Sequence, residues 1–171
     1  LKEFNLITLK PVIYVCNVDE KSILEGNKFT KDLSESIKED IILISAEIES
    51  QISSLSSADQ AEYLESLGLE QSGLNKIIKS GYQTLSLITY FTSGEQETRA
   101  WTVTSGSKAP DAAGKIHSDF QSGFIRAETI SYDDFVECDG EIKAKELGKM
   151  RSKGKEYVVQ DGDVMHFLFN N

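Results

Sequence analysis

Two short apolar runs dominate the first half of the chain, at positions 10–16 (KPVIYVC) and 41–44 (IILI). Apolar and β-branched residues at consecutive positions are typical of strands that are buried on both faces, as in parallel sheets. A polar segment follows each run, starting at Asn17 and at Ser45. The pattern therefore predicts two buried parallel strands whose carboxyl ends carry polar side chains.

Apolar residues spaced by three and four positions predict helices beside these strands. The spacing covers residues 30–38, 48–67 and 75–88. Ser57 is the expected N-cap within the middle segment, and Gly68 is its expected end. Alternating strands and helices indicate an α/β domain over residues 1–85. Two strands are too few to complete a doubly wound sheet, and the chain starts at Leu1 rather than Met, so we expect further strands upstream of a truncation.

Residues 86–169 follow a different pattern, in which apolar and polar side chains alternate as they do along half-buried strands. Strands are predicted at 97–103, 124–130, 157–160 and 164–169. A helix is predicted from Pro110 to position 120, because proline suits the first turn of a helix. Further helices are predicted at 132–136 and at 141–149. This order of strands and helices indicates a small α+β domain of the β-grasp type.

The composition narrows the class of protein. The 171 residues are 39% hydrophobic and 27% charged, which is ordinary for a globular domain. The net charge of −10 argues against a wholly basic nucleic-acid binder. No apolar run approaches the roughly 20 residues that span a bilayer, so no membrane partner is expected. Cys16 and Cys138 match no metal spacing, and we expect reduced thiols in a cytosolic protein.

The carboxyl ends of the two predicted parallel strands hold the first candidates for chemistry, because ligands of open α/β sheets bind there. Asn17 carries an amide that donates and accepts hydrogen bonds, and Glu20 carries a carboxylate that only accepts. Backbone N–H groups of residues 45–47 can face the same ligand. Together these groups can recognise the edge of a purine. The alternative is a strand-to-loop turn in which Asn17 tolerates a left-handed backbone.

A run of basic residues is the second candidate. Its members are Lys143, Lys145, Lys149, Arg151, Lys153 and Lys155. Glu146 is the one acidic residue among them, so the local balance is 6 − 1 = +5. Such a cluster can bind phosphate groups. From Ser86 onward, however, the chain counts 10 basic and 14 acidic residues, so solvated charge on a helix and a loop is the alternative.

Residues 11–20 (PVIYVCNVDE) resemble the base-recognition segment of the YchF or Obg-like ATPase family, within the P-loop GTPase superfamily. Most of that superfamily carries Asn-Lys-x-Asp there, whereas the YchF family carries Asn-x-x-Glu and prefers ATP. This chain has Asn17, Val18, Asp19 and Glu20, and Val18 replaces the lysine that would lie along the base. Residues 45–47 (SAE) resemble the family's last nucleotide motif, in which Ala46 would be the backbone contact.

The second half resembles the TGS domain of the same family. The matching segments are 90–92, 99–103, 109–110, 116–120, 123–128 and 157–167. The resemblance implies an α/β partial Rossmann-like half of a G domain at 1–85, followed by an α+β β-grasp (ubiquitin-like) TGS domain at 86–169. It also implies a cytoplasmic protein that associates with the ribosome or RNA, and we expect a monomer.

The resemblance assigns roles to individual residues. The base-binding set would be Asn17, Val18, Glu20, Ser45 and Ala46. ATP or GTP would bind with Mg²⁺ in the full-length parent, and we expect no tightly bound cofactor on this chain alone. The sequence contains no Gly-x-x-x-x-Gly-Lys-Ser/Thr motif, so the chain alone is predicted not to hydrolyse nucleotide. The alternative is a stand-alone TGS module that binds RNA or the ribosome without nucleotide.

Two histidines and two aromatic residues remain open in the TGS-like half. His117 is a candidate contact for RNA or the ribosome, and the alternative is a histidine that fixes a helix end. His166 has the alternation of a solvent-facing strand residue, and neither histidine matches the family's catalytic position. Trp101 and Phe124 could stack on bases, but their alternation with polar residues favours core packing.

Overall fold

The computed structural model describes residues 4, 6–94 and 97–170. The chain divides into two compact units, Leu1–Leu85 and Ser86–Asn171. Both units are mixtures of helices and strands, and each has its own cluster of buried apolar residues. None of the helices in the described ranges has the length and apolar character needed to cross a membrane. Cys16 and Cys138 are both free thiols, as the sequence predicts.

The first unit contains a two-stranded parallel sheet, with Cys16 opposite Leu43. Its strands are β1 (Tyr14–Asn17) and β2 (Ile41–Ile44), and its helices are α1 (Lys28–Ile37), α2 (Ala46–Ser53), α3 (Ser57–Ser66) and α4 (Gly73–Thr84). Ile48 and Ile52 of α2 form the centre of a buried cluster with Leu69, and Cys16 and Leu43 pack against it. This face of the sheet is therefore the inner one.

Polar caps determine where these helices begin. Asn27 and Thr30 form a reciprocal capping box at α1. The predicted cap of α3 is wrong by one position: Ser56 accepts the hydrogen bond from the Asp59 N–H, and Ser57 is the first helical residue. The last predicted helix is also too long, because α4 ends at Thr84 and Ile88 belongs to the next strand. Gly68, with φ +70°, follows the end of α3 as predicted.

The prediction that both strands are buried on both faces is wrong. Val15 of β1 is 40% exposed, and the four residues of β2 are all only partly buried. Within the described part of this unit the sheet has two strands, so β1 is an edge strand and one of its faces is only partly covered. Consecutive apolar residues show that both faces of a strand are suited to burial. How much of each face is buried depends on the number of neighbouring elements.

The second unit is built on a five-stranded sheet with the order β4-β3-β7-β5-β6. The strands are β3 (Leu87–Ser93), β4 (Thr98–Thr104), β5 (Phe124–Ser131), β6 (Arg151–Lys153) and β7 (Asp163–Phe169). The helices are α5 (Ala109–Ile116), α6 (Ser118–Ser122), α7 (Tyr132–Glu137) and α8 (Glu141–Glu146). β3 and β7 are parallel, and the other neighbours are antiparallel.

Helices α5 and α6 lie on one face of this sheet and bury its main core. Tyr90 has no exposed surface, and its ring meets Phe167 edge to face. Its hydroxyl donates a hydrogen bond to the Ala112 carbonyl at 2.7 Å, and burial raises the pKa of Tyr90. A smaller cluster around Ile130 and Cys138 lies against α7 and α8.

Three predictions about this unit need correction. Residues 157–160 do not form a continuous strand: Val158 makes one isolated bridge to Lys108, and Asp163 accepts hydrogen bonds from the Tyr157 hydroxyl and the Gln160 N–H. The helix predicted to run to position 120 breaks at His117, whose backbone is extended. The helix predicted at 141–149 ends at Glu146. Strands β3 and β6 are absent from the prediction. β3 begins inside the predicted helix 75–88, and β6 has only three residues.

Candidate functional site

The carboxyl ends of β1 and β2 meet at one edge of the sheet in the first unit. Asn17 is the last residue of β1, and the next residue, Val18, donates its N–H to the Ile44 carbonyl at 2.8 Å. Directly beyond this bond, Asn17 Oδ1 accepts a hydrogen bond from the Ala46 N–H at 2.9 Å. Two segments that are far apart in sequence are therefore joined by one side chain at an exposed edge.

The bond to Ala46 also determines the orientation of the Asn17 amide. A backbone N–H can only donate, so the atom that faces it must be the oxygen. The Asn17 nitrogen, with two protons to donate, is left for other partners. The Asn17 side chain is exposed, so this nitrogen can act as a hydrogen-bond donor towards a partner outside the fold.

Two members of the predicted base-binding set are buried. Ser45 is 1% exposed, and its hydroxyl oxygen faces the Ile48 N–H at 3.5 Å at the start of α2. Val18 is 8% exposed and belongs to the cluster of Ile48 and Ile52. Both side chains are buried next to the exposed edge, so they offer little surface to a ligand. Their predicted contact with a base stays a prediction.

Glu20 lies on the exposed side of the same edge. It begins a short 3-10 turn, Glu20–Ser22, and Asp19 caps this turn by accepting the Ser22 N–H at 2.9 Å. Asp19 is therefore engaged locally. In the described ranges, no hydrogen-bond donor or cation contacts the Glu20 carboxylate, which is left able to accept from a ligand.

Glu49 and Gly73 hold this edge in place, and the sequence analysis did not single them out. Glu49 of α2 accepts the Gly73 N–H at 2.6 Å, so the first helical turn of α2 is attached to the start of α4. A side chain at position 73 would lie 2.7 Å from Ile44 Cγ2. The signal that could have found this site is Ser72 followed by Gly73, a cap and a small residue before an amphipathic helix.

The basic run of the second unit is divided by ion pairs. Lys143 Nζ lies 3.2 Å from Asp139 Oδ2, and Lys149 Nζ lies 2.8 Å from Asp134 Oδ1. The hydrogen bond to Asp134 raises the pKa of Lys149, and the same bond lowers the pKa of Asp134. Lys145 lies on α8, between the two paired lysines in sequence.

The other three basic residues lie further along the chain. Arg151 and Lys153 belong to β6, and Lys155 is in the turn that follows. The Lys153 ammonium lies 4.5 Å from the centre of the Tyr157 ring, a cation–π distance. Across the described chain, none of these three cations lies within salt-bridge distance of a carboxylate.

His117 caps α6: its Nδ1 accepts the Asp119 N–H at 3.2 Å. This matches the helix-fixing alternative, while contact with RNA or the ribosome stays a prediction. His166 is exposed on β7, opposite Glu128. Phe124 is 3% exposed, and Trp101 packs against the same core while donating to Thr92 Oγ1 at 2.9 Å. The interpretation that both aromatic residues serve core packing is confirmed.

The described residues contain no group of three or more His, Cys, Asp or Glu side chains arranged to hold a metal ion. At the end of the parallel strand pair, Asn17 offers a hydrogen-bond donor and Glu20 offers an acceptor.

Comparison with known proteins identifies relatives of the whole chain. The family model YchF-GTPase_C, described as a protein of unknown function (DUF933), matches residues 87–170. Proteins named ribosome-binding ATPase YchF from Haemophilus ducreyi and Bacillus subtilis are each 49% identical over 99% of the chain. These alignments cover 47% and 48% of the two relatives, so the chain spans about half of their length.

Two solved structures resemble the fold. The YchF GTPase of Schizosaccharomyces pombe matches with a TM-score of 0.85 and 37% identity, over 97% of this chain and 45% of that protein. A GTP-binding protein of Pyrococcus horikoshii matches with a TM-score of 0.63 and 20% identity, over 94% of this chain and 46% of that protein. The second likeness concerns the fold alone.

Proposed function

This chain belongs to the YchF family, and from that premise we propose that it is part of a protein that binds and hydrolyses ATP, and GTP more weakly. We propose further that this protein is cytoplasmic and associates with the ribosome or RNA. Relatives that are 49% identical over nearly the whole chain and are named ribosome-binding ATPases support the proposal.

The two units would have separate tasks. We assign residues 1–85 to the base-recognition end of an Obg-type G domain, of partial Rossmann-like form. We assign residues 86–169 to a TGS domain of the β-grasp type. The parallel β1–β2 pair and the five-stranded mixed sheet support these assignments.

The observation that carries the nucleotide proposal is the hydrogen bond between Asn17 and Ala46. It presents the Asn17 amide nitrogen as a donor, which suits the N7 acceptor that every purine carries. It also engages the Ala46 N–H, which is therefore not free to donate to O6 of guanine. The Glu20 carboxylate can accept from the N6 amino group of adenine or from the N–H donors of guanine, so the choice of base rests on the engaged Ala46 N–H. This arrangement favours adenine over guanine.

The chain's residues fit the base but not the phosphates. A phosphate-binding loop with the Gly-x-x-x-x-Gly-Lys-Ser/Thr pattern does not occur in its sequence. ATP with Mg²⁺ would supply the phosphoryl chemistry in the full-length protein. Asn17 and Glu20 would bind and orient the base, and Ala46 would hold the Asn17 amide in place. Negligible ATP turnover is expected of the 171-residue chain alone, and turnover at the level of the full-length protein would contradict this assignment.

Calorimetric titration of the full-length protein with ATP and GTP tests the choice of base. We expect ATP to bind more tightly, and tighter binding of GTP would refute the argument. Asn17→Ala should weaken ATP binding by about tenfold, because a lost ligand hydrogen bond and a loosened Ala46 together cost about 1.4 kcal/mol. Asn75→Ala, which removes an exposed amide on α4, is the matched control and should bind ATP normally.

A second candidate function is an RNA- or ribosome-binding module that acts without nucleotide. The basic run of the second unit favours it, since four of the six cations have no carboxylate within salt-bridge distance in the described structure. Sedimentation with ribosomes, with and without ATP, separates the two candidates. Association that never responds to nucleotide would favour the module alone.

A further inference from the structure

In the described structure, the six basic residues of the run divide into two paired lysines, one unpaired lysine on α8 (Lys145) and three cations further along the chain. Lys143 and Lys149 are held by carboxylates of the preceding segment, Asp139 and Asp134. Arg151, Lys153 and Lys155 follow on β6 and the turn after it. We call residues 151–155 (RSKGK) the β6 strip.

The β6 strip lies along an outer edge of the sheet. β6 is the last strand in the sheet order, so one of its edges pairs with β5 and the other pairs with no strand in the described structure. Arg151 is opposite Thr129 and Lys153 is opposite Ala127, so the two cations are on the same side of the strand. Alternate residues of a strand are about 6.6 Å apart, which sets the cations in a single row.

Three carboxylates near the strip are paired with other cations, while a fourth, Asp163, interacts with Lys153 through charge and accepts a hydrogen bond from the Tyr157 hydroxyl. Glu128, opposite Ser152, is 3.4 Å from Arg126. Glu156, next to Lys155 in sequence, is 2.6 Å from Lys108. Asp134, whose pKa is lowered partly by Arg151, has its closest ion pair with Lys149 at 2.8 Å. In the described structure the three cations of the strip therefore have no carboxylate within salt-bridge distance, although the whole chain has a net charge of −10.

The strip is also partly ordered before any ligand arrives. Lys153 lies over the Tyr157 ring, and the Tyr157 hydroxyl is held by Asp163 at 2.8 Å. Less side-chain entropy is then lost when the ammonium binds an anion. At Gly154 an added Cβ would meet no atom within 4 Å, so a ligand can approach the backbone there.

We propose that the β6 strip binds the phosphodiester backbone of single-stranded RNA, without reading its sequence. This inference rests on the proposed association with RNA or the ribosome and narrows it to Arg151, Lys153 and Lys155. The row formed by Arg151 and Lys153, with Lys155 in the turn that follows, fits one strand of phosphates. The strip contains no apolar side chain that could enter a lipid bilayer, so an anionic membrane is the less suitable partner.

The test measures the binding of a labelled oligouridine to the 171-residue chain by fluorescence anisotropy. In the strip variant, Arg151, Lys153 and Lys155 are all changed to Gln. In the matched control, Lys143, Lys145 and Lys149 are changed to Gln, which removes the same charge from the adjacent segment. Circular dichroism and thermal melting check that both variants are folded.

The salt dependence gives the sharper readout. Between about 50 and about 200 mM KCl, each phosphate contact contributes about 0.7 to the slope of log affinity against log salt for a single strand. The strip variant should lose about 2 from this slope and about tenfold in affinity at the lower salt concentration. The control should lose less than about half of either. Equal losses in both variants, or a strip variant that binds like wild type, would overturn the proposal.

Two further arms separate the possible partners. Vesicles that contain anionic lipid should bind the wild-type chain more weakly than the oligonucleotide does, and the reverse order would overturn the choice of RNA. Ribosome sedimentation tests the broader proposed function by itself. If the chain does not sediment with ribosomes but the strip variant loses oligouridine binding, ribosome association fails and the RNA site stands.

Discussion

Gly73 begins α4 at a point where the structure has no room for a side chain. A Cβ there would lie 2.7 Å from Ile44 Cγ2 and 3.0 Å from Glu49 Oε1. Carbon atoms in contact prefer separations of at least about 3.5 Å, so Gly73→Ala must shift its neighbours by about 0.8 Å. Forced repacking of this kind costs about 1–3 kcal/mol. We expect Gly73→Ala to lower the free energy of unfolding of the first unit by that amount.

Gly81 provides the matched control on the same helix. An added Cβ at Gly81 meets no atom within 4 Å. Gly81→Ala adds the same methyl group and should stabilise the unit by about 0.5–1 kcal/mol, because alanine is the better helix former. The two variants should therefore shift the free energy of unfolding in opposite directions.

Urea unfolding followed by far-UV circular dichroism measures both effects. The single tryptophan, Trp101, lies in the second unit, so its fluorescence shows whether that unit is unaffected. For a unit of this size, 1 kcal/mol corresponds to a shift of about 4–8 °C in melting temperature. A Gly73→Ala variant as stable as Gly81→Ala would refute the close packing between α4, β2 and Glu49.

Two further predictions concern the second unit. Tyr90→Phe removes the buried hydrogen bond to the Ala112 carbonyl and should lower the free energy of unfolding by about 1 kcal/mol. Trp101 fluorescence in urea measures this loss. The control Tyr132→Phe, at an exposed tyrosine, should cost almost nothing. Burial raises the pKa of Asp163, so the folded state holds this proton more tightly than the unfolded state. This group therefore makes the protein less stable as the pH rises from about 4 through the range of the raised pKa. Asp163→Asn should flatten this loss in melts across that pH range, and a wild-type stability that rises more steeply than that of the variant would contradict the assigned direction.

Hydrophobic spacing located most of the elements. The run at 41–44 is β2 with the predicted bounds, and the alternation at 124–130 is β5 with one further residue. These segments were predictable because a strand that buries one face or both leaves a local mark on the sequence. The short Arg151–Lys153 strand was not predictable, since a three-residue edge strand of polar residues has no apolar pattern.

Local pattern failed where distant partners decide the conformation. Residues 157–160 alternate like a strand, but their pairing is limited to one isolated bridge between Val158 and Lys108, which lies far earlier in the chain. The predicted helix at 75–88 ran through Leu85 because its apolar stripe continues, yet Ile88 pairs with Val103 in the sheet. In both segments, pairing with residues elsewhere in the chain decided the conformation, and the local apolar spacing did not.

The candidate site divides in the same way. The sequence by itself determined which residues are chemically suited to each candidate site. Asn17 and Glu20 come at the end of a strand, and six cations lie within thirteen positions further along the chain. Only the tertiary structure decided what each residue does. It set the Asn17 oxygen against the Ala46 N–H, buried Val18 and Ser45, and paired Lys143 and Lys149 with acids while leaving Arg151, Lys153 and Lys155 without them. The physical reason is that charge and hydrogen-bonding capacity belong to the side chain, whereas their use depends on partners that folding brings within about 3 Å.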